Sequence, residues 1–283
     1  MDTTREISSP PETLEFKESE AWSPPPPPTD LIFDDGEPLE SNRHRIAMNV
    51  LIEAVHQAYR GREDYFVGGN MFVYYSSEQA RNRDFKGPDF FVTLNVDSTR
   101  ERQGWVVWEE AGRYPDVIVE LMSPSTARQD RGEKKQLYEQ TFRTSDYFIY
   151  DPFTPQSLQG WHLGEDGSYH DILPNPQGHL WCARLGLWLG LWQGKILKET
   201  APWLRFYDAQ GHLILLGEEL AQQERERAEQ ERERAEQERE RAEQERERAE
   251  QERERAEQAE RALQQLQARL QALGIDPEQL SPD

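Results

Sequence analysis

Apolar positions along the chain change period several times, and each change marks an element. From Arg43 to Tyr59, the residues Ile46, Val50, Leu51, Ala54, Val55 and Ala58 recur at three and four, which predicts an amphipathic helix ended by Gly61. The buried face of that helix also offers His44 and Glu53. Tyr65 to Tyr75 and Phe85 to Val96 predict strands, the first bent at its Gly-Gly pair. Trp105 to Trp108 and Pro115 to Met122 give further extended segments, followed by a helix from about Thr126 to Phe142 and a strand from Tyr147 to Tyr150. Between 157 and 217, short aromatic runs alternate with turn residues, and Asp208-Ala209-Gln210-Gly211 supplies a hairpin turn. The order of helix, strands, helix and strand, closed by hairpins, is that of an α/β (α+β) domain.

From Glu218 the pattern becomes a seven-residue repeat, AEQERER, with Ala at 228, 235, 242, 249 and 256. Glu and Arg pair at three and four, which supports one long helix over 218–273, about 84 Å at 1.5 Å per residue. With Ala at position a, position d is Glu and positions e and g are Arg, so the internal repeats lack a strong coiled-coil seam. Ala256, Ala259, Leu263, Leu266, Leu270 and Leu273 keep the same phase and form a short apolar zipper before Gly274 and Pro277. The segment therefore reads as a charged spacer helix with a short terminal coiled coil that offers a homo-oligomer contact, and a monomeric solvated helix is the alternative.

Composition changes the picture by locating the charge. The 283 residues carry a formal net charge of −21, but residues 1–42 and 218–283 contribute −9 each and residues 43–217 only −3. Nucleic-acid binding draws affinity from basic side chains on phosphates, so strong acidity argues against it and a nearly neutral middle removes that objection. The middle also holds basic clusters at Arg81, Arg83 and Lys86 and at Arg128, Arg131, Lys134 and Lys135. Residues 1–42 are acidic with five prolines at Pro24 to Pro28, the composition of a disordered arm. The boundaries that follow are an arm over 1–42, a globular domain over 43–217, a heptad helix over 218–274 and a tail over 275–283. A lone cysteine, Cys182, fits a reducing cytoplasm, and no apolar run reaches membrane-spanning length.

The candidate chemistry lies in two carboxylates. Glu120 interrupts the apolar run Val117, Ile118, Val119, Leu121, Met122, and Asp89 enters a second apolar strand in GPDFFVTL. An ionised carboxylate in a buried strand costs several kcal/mol unless a cation or strong donors meet it. Asp130, Lys134 and Tyr138 are four apart on the following helix and share one face, so two acids and a lysine can converge. Asp116 is a decoy, because four residues along one strand is roughly 13 Å, too far to share an ion with Glu120. The inert alternative is a buried ion-pair network without catalysis.

The ordered set GPDFFV, PDVIVELMSPST, D-x3-K-x3-Y and YFIYDP resembles the bacterial "putative restriction endonuclease" family of the PD-(D/E)xK nuclease superfamily, over about residues 40–220. The resemblance implies a restriction-endonuclease-like mixed β-sheet core flanked by helices, a Mg²⁺-dependent endonuclease acting on DNA, and one or two Mg²⁺ ions held by Asp89, Glu120 and the backbone carbonyl of Leu121. The superfamily lysine would fall at Met122, which cannot serve, so the resemblance transfers its role to Lys134, with Lys135 as fallback and Glu53 and His44 as further candidates. A second reading is a catalytically silent scaffold or adaptor that assembles through its C-terminal helix.

Overall fold

A computed structural model describes residues 26, 28–33, 41–82 and 86–273. Most of the acidic arm, Arg83 of the first basic cluster and the helix stop at Gly274 and Pro277 lie outside the described residues. Two compact units divide the chain, Met1–Leu213 and Ile214–Asp283.

The first unit is built on a six-stranded mixed sheet in the order β1-β3-β5-β6-β7-β8. Its strands are β1 (Tyr65–Gly68), β3 (Phe90–Leu94), β5 (Val117–Leu121), β6 (Asp146–Asp151), β7 (Thr154–Leu163) and β8 (Tyr169–Asp171). β5 and β6 are parallel and every other neighbouring pair is antiparallel. After a short helix α2 (Ser77–Arg81), the helical segment 127–142, here α3, supplies the crossover that the parallel pair needs. The Gly-Gly bend ends β1 and starts a separate two-stranded ribbon of β2 (Val73–Tyr74) and β4 (Trp105–Val106). A Cβ on Gly68 would lie 2.3 Å from the Phe91 ring, so glycine is what lets β1 close on β3. The aromatic tail makes two contributions. β7 and β8 complete the main sheet, while β9 (Leu180–Cys182), β10 (Leu187–Ile196) and β11 (Glu199–Tyr207) form their own antiparallel sheet.

Side chains alternate across a sheet, so each face has a separate cover. Ile118, Tyr147, Ile149 and Trp161 face α3, where Tyr138 and Phe142 complete one buried cluster with Met122 and Phe91. On the opposite face Phe90 meets Phe206 of β11, with ring centroids 6.1 Å apart. Helix α1 (Asn42–Ala58) packs near β11, β3 and β5 and buries Ile46, Ala47, Val50, Leu51, Ala54 and Val55. Its N-terminus is capped by Ser41, whose Oγ accepts from the His44 amide. Glu53 departs from the expectation: it is exposed, because packing covers a narrower stripe of α1 than the apolar periodicity spans. In the arm, the apolar island at Ile32 and Phe33 is tied to the ribbon, with hydrogen bonds between Ile32 and the Tyr74 hydroxyl and an edge-on contact of Phe33 with the Tyr74 ring.

Among its described residues the second unit holds one helix, α4 (Gly217–Ala272), of 56 residues. The Glu219 carboxylate accepts from the Leu216 amide and caps its start. No described residue within it is buried, and Leu263 and Leu266 are each 57% exposed. No helix among the described residues is long and apolar enough to cross a membrane.

Candidate active site

Register brings the two carboxylates together. β3 and β5 pair with Phe90 opposite Val119, so the next position along places Asp89 beside Glu120. The Leu121 amide donates to Asp89 Oδ2 at 2.8 Å, and the Asp89 amide donates to Glu120 Oε2 at 3.4 Å. These contacts turn the Asp89 side chain across the strand end rather than along it.

Helix α3 closes the cluster from above. Lys134 Nζ lies 3.2 Å from Glu120 Oε2 and 2.9 Å from Asp130 Oδ1, and the Tyr138 hydroxyl donates to Glu120 Oε1 at 2.7 Å. The helix takes π-helical turns at Asp130–Lys134 and Tyr138–Phe142, so all three residues of the D-x3-K-x3-Y stripe sit where the backbone pattern is irregular, a placement frequent at functional sites. Glu120 is fully buried, Asp130 nearly so, and Lys134 is 14% exposed. Asp89 is half-buried, which leaves Asp89 and Lys134 as the cluster's face to solvent.

Within this cluster three carboxylates meet one ammonium. Burial raises Glu120 to about 7, with Lys134 opposing and Asp89 adding to the rise. Burial likewise raises Asp89 to about 6 against the pull of Lys134, and Asp130 rises through burial and the Glu120 charge. Lys134 responds the other way. Burial alone would lower it, but Glu120, Asp130 and Asp89 together hold its pKa above the usual lysine range. The cluster is therefore short of positive charge, and Lys134 is a fixed cation rather than a proton acceptor near neutral pH.

The remaining candidates separate cleanly. Lys135 turns away from Glu120, with its Nζ 4.2 Å above the Trp161 ring. His44 is buried and its Nε2 lies 3.2 Å from the Met122 carbonyl oxygen, while Nδ1 lies 2.8 Å from Ser41 Oγ. A carbonyl can only accept, so Nε2 carries the proton and His44 holds the end of the strand that bears Glu120. Glu53 lies on the exposed side of α1, about 13 Å along the helix from His44. Met122 is buried in the apolar cluster under α3. Asp116 is used elsewhere: Leu94 N donates to it at 2.7 Å and Arg184 Nε at 2.8 Å. Asp130 and Tyr138 belong to the cluster although neither was among the expected site residues, and the four-residue spacing to Lys134 was the signal for both.

Among the described residues, no group of three or more His, Cys, Asp and Glu side chains forms a complete metal cage. Magnesium does not need one, because it commonly keeps several waters and takes one or two protein carboxylates. Asp89, Glu120 and the Leu121 carbonyl are all hard oxygen donors, and the shortage of positive charge around them suits a divalent cation.

Comparison with known proteins identifies the family. A solved structure titled as that of a putative nuclease belonging to DUF820 from Anabaena variabilis is 14% identical, covering 52% of this chain and 76% of that one, with a TM-score of 0.37. At that score the likeness adds nothing to the assignment. A search of curated proteins finds no match. The sequence model of the Uma2 family, described as "Putative restriction endonuclease", matches residues 15–197, and on that match over more than half its length the chain belongs to the Uma2 family.

Proposed function

We propose that the protein is a Mg²⁺-dependent endonuclease that hydrolyses DNA phosphodiester bonds at the Asp89, Glu120, Lys134 cluster. The observation that carries this reading is a single half-buried ammonium facing three carboxylates at a strand end, with Asp89 and Lys134 turned to solvent. Asp89, Glu120 and the Leu121 carbonyl would hold the metal, one ion or a pair, which supplies Lewis-acid polarisation of the phosphate and an acidified water. The chain's own residues do the rest. Tyr138 fixes the Glu120 carboxylate through its hydroxyl. Lys134, charged at neutral pH, stabilises negative charge gathering on the phosphoryl oxygens. His44 holds the Met122 carbonyl and so the strand end.

The same geometry supports the lysine's displacement. With Met122 committed to the core, an ammonium reaches the carboxylates from α3 instead. The long helix serves a different end: its zipper leucines, Leu263, Leu266, Leu270 and Leu273, pair with those of a second copy.

The test is cleavage of supercoiled plasmid by the wild type and Glu120→Ala, each with magnesium and with chelator. Nicking or linearisation that needs both Glu120 and the metal supports the nuclease. An intact fold with no cleavage in any lane overturns it in favour of a silent scaffold.

A further inference from the structure

The basic run on α3 is divided between two destinations. Lys134 enters the cluster, whereas Lys135 leans over Trp161 into a groove of about 730 Å³ on the β7 side of the helix. Arg131, four residues before Lys135, and Arg128, three before Arg131, are exposed. The groove offers mixed chemistry. Gln156, Gln159 and Gln177 present exposed amides, and Ile172 and Trp161 supply apolar surface.

The sheet ties this groove to the carboxylates. Glu120 pairs with Ile149 on β6, and Ile149 pairs with Gln159 on β7. Residues paired across a sheet point to one face, so Asp89, Glu120, Ile149 and Gln159 form one row. Two strand spacings put Gln159 about 10 Å from Glu120 between backbones, a distance of one to two nucleotides along a strand.

We infer that this groove binds the nucleotide of the substrate strand next to the cleaved bond, with Lys135 on its phosphate and the Gln156, Gln159 and Gln177 amides on the edge of its base. The inference rests on the nuclease reading above and adds a subsite to it. Charge and chemistry agree with this occupant. A basic stripe leads to the groove along the helix, amides donate and accept as base edges require, and an apolar wall suits a base face. An acidic peptide would use the lysine and arginines but leave the amides and the apolar wall without a role.

The test uses the full chain in chelator, so that binding is read without cleavage, with a fluorescein-labelled oligonucleotide followed by anisotropy. Lys135→Gln combined with Gln159→Ala should raise Kd about tenfold, and Lys135→Gln alone should lower the salt slope by about one. Both side chains leave the sheet core untouched, and circular dichroism checks the fold. With magnesium, the double variant should show a raised KM, kcat within about twofold of wild type and a relaxed cleavage-site pattern. Unchanged Kd and pattern overturn the subsite, as does an equal loss of affinity for polyglutamate, which would mark a charge-only surface. The two readings fail differently. A wild type that cleaves while the groove variants match it removes only the subsite, whereas cleavage that persists in Glu120→Ala removes the assigned active site.

Discussion

Carboxylates gather at both ends of β5, and the ends are finished differently. At the start of β5 and β6, Asp116 accepts from the Leu94 amide and from Arg184 Nε. Asp146 beside it accepts from the Arg184 amide at 2.7 Å, lies 2.7 Å from His162 Nδ1 and 3.6 Å from Cys182 Sγ. Each oxygen of this pair has a partner, and the partners come from β9 and its following loop, from β7 and from β3. The arrangement works as a clasp. At the other end, Asp89, Glu120 and Asp130 share one lysine, one tyrosine hydroxyl and few backbone donors, and burial drives Asp89 and Glu120 up to about 6 and about 7. Both Glu120 oxygens also have partners, so the ends differ in charge rather than in contacts: one ammonium among three carboxylates marks a site kept for a ligand.

The largest effect expected from this contrast is on cleavage. Asp89→Ala should lower the plasmid-nicking rate by about a thousandfold while leaving the circular dichroism spectrum unchanged; a rate near wild type would erase the distinction between the ends. Lys134→Met should cost about a hundredfold in kcat with little change in KM, since the ammonium acts on charge developing in the reaction. Lys135→Met should leave kcat within about twofold, and a reversal of that ranking would move the catalytic cation. The clasp should respond in the opposite currency. Asp146→Asn should lower stability by about 1–3 kcal/mol, read as a shift in urea midpoint, with activity per folded molecule retained.

A smaller effect tests the charge deficit through pH. Glu120 and Asp89 have folded pKa values above their ordinary ones, so the folded state holds protons that the unfolded state has lost. Their contribution to stability is full below about pH 4 and is lost as pH rises through about 6 and about 7. Without magnesium, the melting temperature should therefore fall between pH 5 and 8 by more in the wild type than in Asp89→Asn. An equal fall in both would remove the deficit. The smallest effect concerns the second unit, where Leu266→Glu with Leu270→Glu should halve the mass seen by light scattering and leave cleavage within about twofold.

Much of this contrast was legible in the sequence. A glutamate inside Val117 to Leu121 declares itself, because a buried charge needs a reason. Spacing of four gave Lys134 and its stripe, and strand reach excluded Asp116. Three features were not legible. Glu53 lies at the margin of the apolar stripe of α1, where only the packing of neighbouring strands decides exposure. The π-helical turns of α3 shift backbone hydrogen bonds without a change in composition. The division of the aromatic tail between the main sheet and a separate one depends on which hairpin reaches β6, and short apolar runs do not encode their partners.

The most direct test is magnesium-dependent melting at pH 8 of the wild type, Asp116→Asn and Asp89→Asn. Magnesium at about a hundred times its Kd should stabilise by about 2.7 kcal/mol, raising the melting temperature of the wild type and Asp116→Asn by about 5 °C or more and leaving Asp89→Asn unmoved. No shift in the wild type, or an equal shift in all three, would contradict a metal site at Asp89 and Glu120.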